Sequence, residues 1–293
     1  MRSFEKFRQF EHKTLGDAAA LYLAESTAKN KDRQEQALRS VLSFAGDIRL
    51  SEIDDDSLWE YKQARCRQVM VGTVDKEISV VSTVINKAVK VWGWMPSVPY
   101  IRTVSGPTKQ SYPLTRHEER KLLRHLKGDV RKISKFVLNT GLRRHDVFRL
   151  TWKQEHEQSG IEYFALPDSG GNRYRYIVLN HNAKQVIHAM EGRDPDFVFP
   201  TRSVQKPIMV AWVKAGLPDH PLIKKGISNL RLTFERRLRA AGANEEEVDT
   251  LLGLRYWRRE ERHAIVDLKR LAELAEMTAF VKDPDLPIYH PMQ

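Results

Sequence analysis

Residues 140–152 read TGLRRHDVFRLTW, and residues 228–234 read SNLRLTF. Each string sets an arginine, Arg143 or Arg231, beside a helix signal, and the reading of the chain turns on these two. Ahead of the first, RKISKFVLNT (131–140) has helical apolar spacing and stops at Gly141, a residue type that ends helices. The second opens a helix expected over 228–241. Between them, IEYFAL (161–166) and RYRYIVL (173–179) alternate as a strand pair joined by DSGGN, which has hairpin turn chemistry. Helices are expected near 182–190 and 207–215, and after the second string near 245–253 and 257–279. Thr115 and Glu118 form a capping-box pattern that opens this half.

The front half reads as four helices within 14–93. The first holds Ala18, Leu21, Tyr22 and Leu23, and the second, over 32–45, holds Leu38, Val41, Leu42 and Phe44. The third follows Asp54–Asp56, an acidic run suited to cap it, and the fourth repeats Ile78, Val81, Ile85 and Ala88 at helical spacing. Pro96, Pro99, Gly106, Pro107 and Pro113 then exclude a helix. The expected division is a helical domain over 1–94, a linker over 95–113 and a larger domain over 114–293. The fold class is mainly α with a small β-sheet (α+β).

The 293 residues are 41% hydrophobic and 30% charged, which excludes wholesale disorder. No apolar run is long enough to span a bilayer, and MRSFEKFRQF lacks the apolar core of a secretory signal. The single cysteine, Cys66, cannot form an internal disulfide and reads as a small buried hydrophobe in a cytoplasmic protein. The net charge is +11, with +3 over 1–110 and +8 over 111–293. Such a balance favours a polyanionic partner, with nucleic acid ahead of a membrane surface. The alternative is a solvated helix surface with partial acidic pairing.

With these elements placed, the chain resembles the tyrosine recombinase (phage integrase) family from end to end. Thr140–Asp146 with Leu150–Trp152 is similar to the family's first-arginine box. Leu166–Asn172, Arg175 and Val178–Asn180 are similar to the hairpin that carries its lysine. Phe197–Pro200 and Ala215–Leu217 resemble connecting segments, and Ser228–Phe234, Ala241–Gly242 and Leu251–Gly253 resemble the second-arginine helix and the turn after it. The resemblance implies a core-binding domain followed by a catalytic domain, and double-stranded DNA as partner. It implies chemistry without metal or other cofactor. A tyrosine attacks the scissile phosphate, two arginines clamp its non-bridging oxygens, a lysine protonates the leaving oxygen and two histidines assist.

Carried over residue by residue, the resemblance makes Arg143 and Arg231 the phosphate-binding arginines and puts Asp146 at an acidic position. Further DNA contacts are expected from Arg144, Arg173, Arg255 and Arg258. The remaining positions depart from the pattern. Gly170 stands at the place of the lysine, Ser228 and Leu254 at those of the histidines, and His263 at that of the nucleophile. Each catalytic group is worth about 10²–10⁴ in rate, so the expectation is a degenerate, inactive recombinase that still binds DNA. It would be a regulator or repressor of a phage or mobile element, closing two domains around a duplex. The alternatives are an active recombinase with Tyr256 or Tyr289 as displaced nucleophile, and a non-catalytic accessory subunit at a synapse. A second copy on DNA, or an active recombinase, is the protein partner expected; residues 264–279 are amphipathic and suited either to such a contact or to packing on their own domain. Arg143 and Arg231 can also be read as pairing with acids such as Asp146, and His263 as a solvated or packed histidine. Trp59, Trp92, Trp94, Trp152 and Phe234 read as core.

Overall fold

The computed structural model describes residues 7, 9–104, 106–167, 173–201, 203–254, 257–258 and 267–281. Two compact units, Met1–Thr108 and Lys109–Gln293, divide the chain. The first is built from α1 (Leu15–Glu25), α2 (Lys31–Ala45), α3 (Trp59–Cys66) and α4 (Val71–Lys90). Thr14 and Asp17 close a capping box at α1, so two otherwise orphaned N–H groups are satisfied. Leu15, Ala18, Leu38, Val41, Leu58, Val74, Val81 and Ile85 form its core.

Two expectations for this unit are corrected. The acidic run does not cap α3: Asp54 accepts the Ser57 N–H at 2.8 Å in the turn before it, and Asp55 bonds Lys62. Trp59 is not core, being 55% exposed on the first turn of α3. Residues 95–104, the front of the expected linker, lie on the same core. Met95 is buried, Ile101 and Val104 pack on the core, and the N–H groups of Arg102 and Val104 donate to Asp55 and Asp75. Proline forbids the helix but not close packing of extended chain, provided its N–H groups find acceptors.

The second unit holds α5 (Arg116–His125), α6 (Gly128–Thr140), the single turn α7 (Arg144–Val147), strands β1 (Glu155–Gln158), β2 (Ile161–Pro167) and β3 (Arg173–Val178), then α8 (His181–His188), α9 (Gln205–Lys214), α10 (Ile227–Ala240), α11 (Glu245–Leu251), β4 (Trp257–Arg258) and α12 (Leu268–Phe280). The strands form one antiparallel sheet in the order β1-β2-β3-β4. Pairing of Phe164 with Ile177 and of Ala165 with Tyr176 fixes the register of the expected hairpin. Both faces of β2 and β3 are covered. Phe164, Leu166 and Ile177 join Phe136, Val137, Ile187 and Trp212 on one side, while Tyr163, Ala165, Tyr176 and Val178 join Phe234, Leu238, Leu251 and Leu274 on the other. Alternation therefore sorts the strand residues between two cores.

The helix expected over 257–279 is also corrected. Trp257–Arg258 pairs with β3, and the helix begins at Leu268 with Asp267 as its cap. Its far end is held by Arg116, which donates to the carbonyls of Thr278 and Ala279. Among the described residues, no helix is long and apolar enough to cross a membrane.

Candidate nucleic-acid interface

Gly141 ends α6 with φ +61°, a conformation costly for any residue with a Cβ. A Cβ there would also stand 2.6 Å from Phe234 of α10. The close approach of α6 to α10 sets the two arginines. Arg143 begins α7 directly after this turn, and its Nη1 donates to the Gly253 carbonyl at 2.9 Å. Arg231, on the second turn of α10, donates to the Gly141 carbonyl. Neither makes an ion pair with a carboxylate among the described residues.

The carboxylate of Asp146 goes elsewhere. It is buried, and its oxygens take Arg175 of β3 and the ring of His145. Arg175 is buried too, at a register position opposite Leu166 and on the same strand face as Ile177. Gly253, with φ +60°, lies against it so closely that a methyl group there would overlap the guanidinium. Gly253 thus seats two arginines, Arg143 through its carbonyl and Arg175 through the bare face of its Cα.

Three guanidiniums converge in this way. Burial, then the like charges of Arg175 and Arg143, push Arg231 down to about 10. Arg231 stays charged at neutral pH, yet its charge is disfavoured where it stands. A neighbouring anion offsets such a penalty, and arginine's planar fork suits the oxygens of a phosphate. Arg175 and His145 were absent from the site expected from sequence. The signal for Arg175 was its alternation with Ile177 and Leu179, which sets an arginine in line with apolar residues on one strand face; for His145 there was none.

The other expected positions fall as follows. Ser228 is exposed on the first turn of α10, one turn before Arg231, and Leu254 is exposed just after Gly253. Neither side chain offers an imidazole. Arg144 is exposed beside Arg143. Arg173 and Arg258 pair through their backbones in the sheet; their side chains, with Gly170, Arg255, Tyr256, His263 and Tyr289, lie outside the described residues.

The first unit presents a second basic surface of its own. Along α4, Lys76, Ser79, Thr83 and Lys90 are exposed, and the half-buried Asn86 continues the same side of the helix. The two acids of α4 are turned away and occupied. Asp75 accepts the Val104 N–H at 2.7 Å, and buried Glu77 pairs with Arg65 at 2.8 Å and accepts the Tyr61 hydroxyl at 2.6 Å. The outward face of α4 is left with lysine, hydroxyl and amide groups.

Lambda integrase, solved as a dimer bound to a COC′ core site, superposes with a TM-score of 0.70, covering 98% of this chain and 84% of that one at 14% identity. The chain has the tyrosine recombinase fold. The integrase of the Tn1549 transposon, solved with transposon right end DNA, matches with a TM-score of 0.66 at 16% identity, over 82% of this chain and 91% of that one. A lambda integrase tetramer bound to a Holliday junction matches at 0.65 and 14% identity, over 82% of this chain and 76% of that one. In sequence, the integrase of Salmonella phage P22 is 25% identical over 129 residues, 44% of this chain and a third (33%) of that integrase. No family model matches the chain. The resemblance read from the sequence segments stands, together with the mainly α, small-sheet class read from the elements.

Proposed function

We propose that this protein binds double-stranded DNA through the arginine site and the outward face of α4, without cutting it. The observation that carries the reading is the convergence of Arg143, Arg175 and Arg231, with the charge of Arg231 disfavoured by burial and by its like-charged neighbours. Phosphate is the anion that answers such a cluster on a recombinase fold. Phosphate contacts fix position and carry no sequence information, whereas lysine, hydroxyl and amide groups on a helix face read base edges in the major groove. The division of labour follows: the arginines grip, and Lys76, Ser79, Thr83, Asn86 and Lys90 select.

Strand cleavage has no support from the residues at the recombinase positions. Ser228 and Leu254 offer no acid or base of suitable pKa, His263 stands where a tyrosine is required, and no lysine occurs between Lys153 and Lys184. A binding protein that occupies recombinase-type sites without cutting them acts as a regulator or repressor of the element that carries it. DNA selection from a random duplex pool, followed by strand-transfer assays on the selected sequence, tests the proposal. Selection of a defined sequence without covalent joining is the expected result; turnover lost in Tyr256→Phe or Tyr289→Phe would establish the active alternative.

A further inference from the structure

His145 sits two residues past Arg143, and the recombinase resemblance gives it no role. Its side chain is 63% exposed while that of its partner, Asp146, is 7% exposed. Nδ1 of His145 lies 2.8 Å from one oxygen of Asp146, and the buried guanidinium of Arg175 holds the other. On the far side of the ring, Arg149 Nη1 lies 3.4 Å from Nε2. A carboxylate at Nδ1 fixes the hydrogen there and leaves Nε2 with a lone pair, which accepts from Arg149. This is the neutral ring. Once Nε2 is protonated it can no longer accept, and the imidazolium repels the guanidinium. Asp146 keeps its hold on Nδ1, so the ring does not swing away, and the Nε2 hydrogen and Arg149 are both released toward solvent as donors.

We propose that His145 is a phosphate-contact residue of the arginine site, and that protonation of its Nε2 decides whether His145 and Arg149 bind one another or grip DNA together. The inference rests on the DNA-binding reading above. The charged groups that face His145 are Asp146 from α7, Arg149 from the turn after it, and Arg175 of β3 through the shared carboxylate. A polyanion favours the protonated ring, so affinity rises as pH falls.

Fluorescence anisotropy of the full-length protein with a mixed-sequence duplex, at fixed ionic strength, tests this at about pH 8 and about pH 5.5. The wild type is expected to bind on the order of tenfold more tightly at the lower pH, the effect of roughly one charge-assisted contact. His145→Gln should lose that gain, and His145→Lys should bind tightly at both pH values. His145→Lys also covers the case in which glutamine disturbs Asp146. Equal pH ratios in the wild type and in His145→Gln, or a His145→Lys variant that still gains affinity at low pH as the wild type does, would overturn the proposal. The arginine site is read separately, from the salt dependence of Arg143→Ala. A reduced slope there together with an unchanged pH ratio in His145→Gln leaves the DNA-binding reading standing and removes His145 from it.

Discussion

Arg143 and Arg231 are separated by 88 positions, yet each is held by the backbone carbonyl of a turn glycine, Gly253 for Arg143 and Gly141 for Arg231. Carbonyl bonds orient a guanidinium without neutralising it, so the charge stays available to phosphate. Arg143→Ala or Arg231→Ala should weaken binding to every duplex by a similar factor, roughly 1.5–3 kcal/mol, and reduce the salt slope by about one unit per lost phosphate contact. An arginine with a purely structural role would instead lower the melting temperature and leave the slope intact. Asp146→Asn belongs to the other kind. It leaves buried Arg175 facing a neutral amide, and breaking a buried pair costs about 3–5 kcal/mol, readable as a lower denaturant midpoint. Arg143 and Arg231 were legible because each stands in a short string that resembles one of the family's arginine boxes. Arg175 was not, because its burial depends on the register of β3 against β2. His145 was not, because its geometry depends on which oxygen of Asp146 remains after Arg175 is paired.

At the scale of elements, periodicity placed the long helices within a few residues, and it failed where tertiary pairing decides. β1 is Glu-His-Glu-Gln, a polar edge strand with no apolar alternation, and it exists because β2 offers it a ladder. Trp257–Arg258 lies in a charged stretch that reads as helix, yet β3 claims it as a strand. Gly253 shows how one position joins elements. Gly253→Ala must adopt φ near +60° and also displace Arg175. Backbone strain alone costs on the order of 1–3 kcal/mol, so thermal unfolding should move down and DNA affinity should fall with it. The face of α4 carries a different expectation. Lys76→Ala, Ser79→Ala and Asn86→Ala should alter which sequences are selected from a random pool, at about 1–3 kcal/mol per lost base contact, while the protein's stability stays close to wild type. A uniform loss across sequences would show that α4 contacts phosphates only.

At the scale of the molecule, the two units have separate cores, and the proposed functions divide between them in the same way. Fragments 1–108 and 109–293 are each expected to unfold cooperatively on their own, and each to bind DNA far more weakly than the whole chain, since linking two modules raises the effective concentration of the second contact. A C-terminal fragment with full affinity and sequence preference would show that α4 takes no part in binding. The proposed function is that of a recombinase fold that holds DNA without joining to it. The most direct measurement incubates the protein with a nicked duplex of its selected sequence and runs the same sample on native and denaturing gels. The expected result is a retarded band on the native gel and free DNA alone on the denaturing gel. A protein–DNA band that survives denaturation would contradict it.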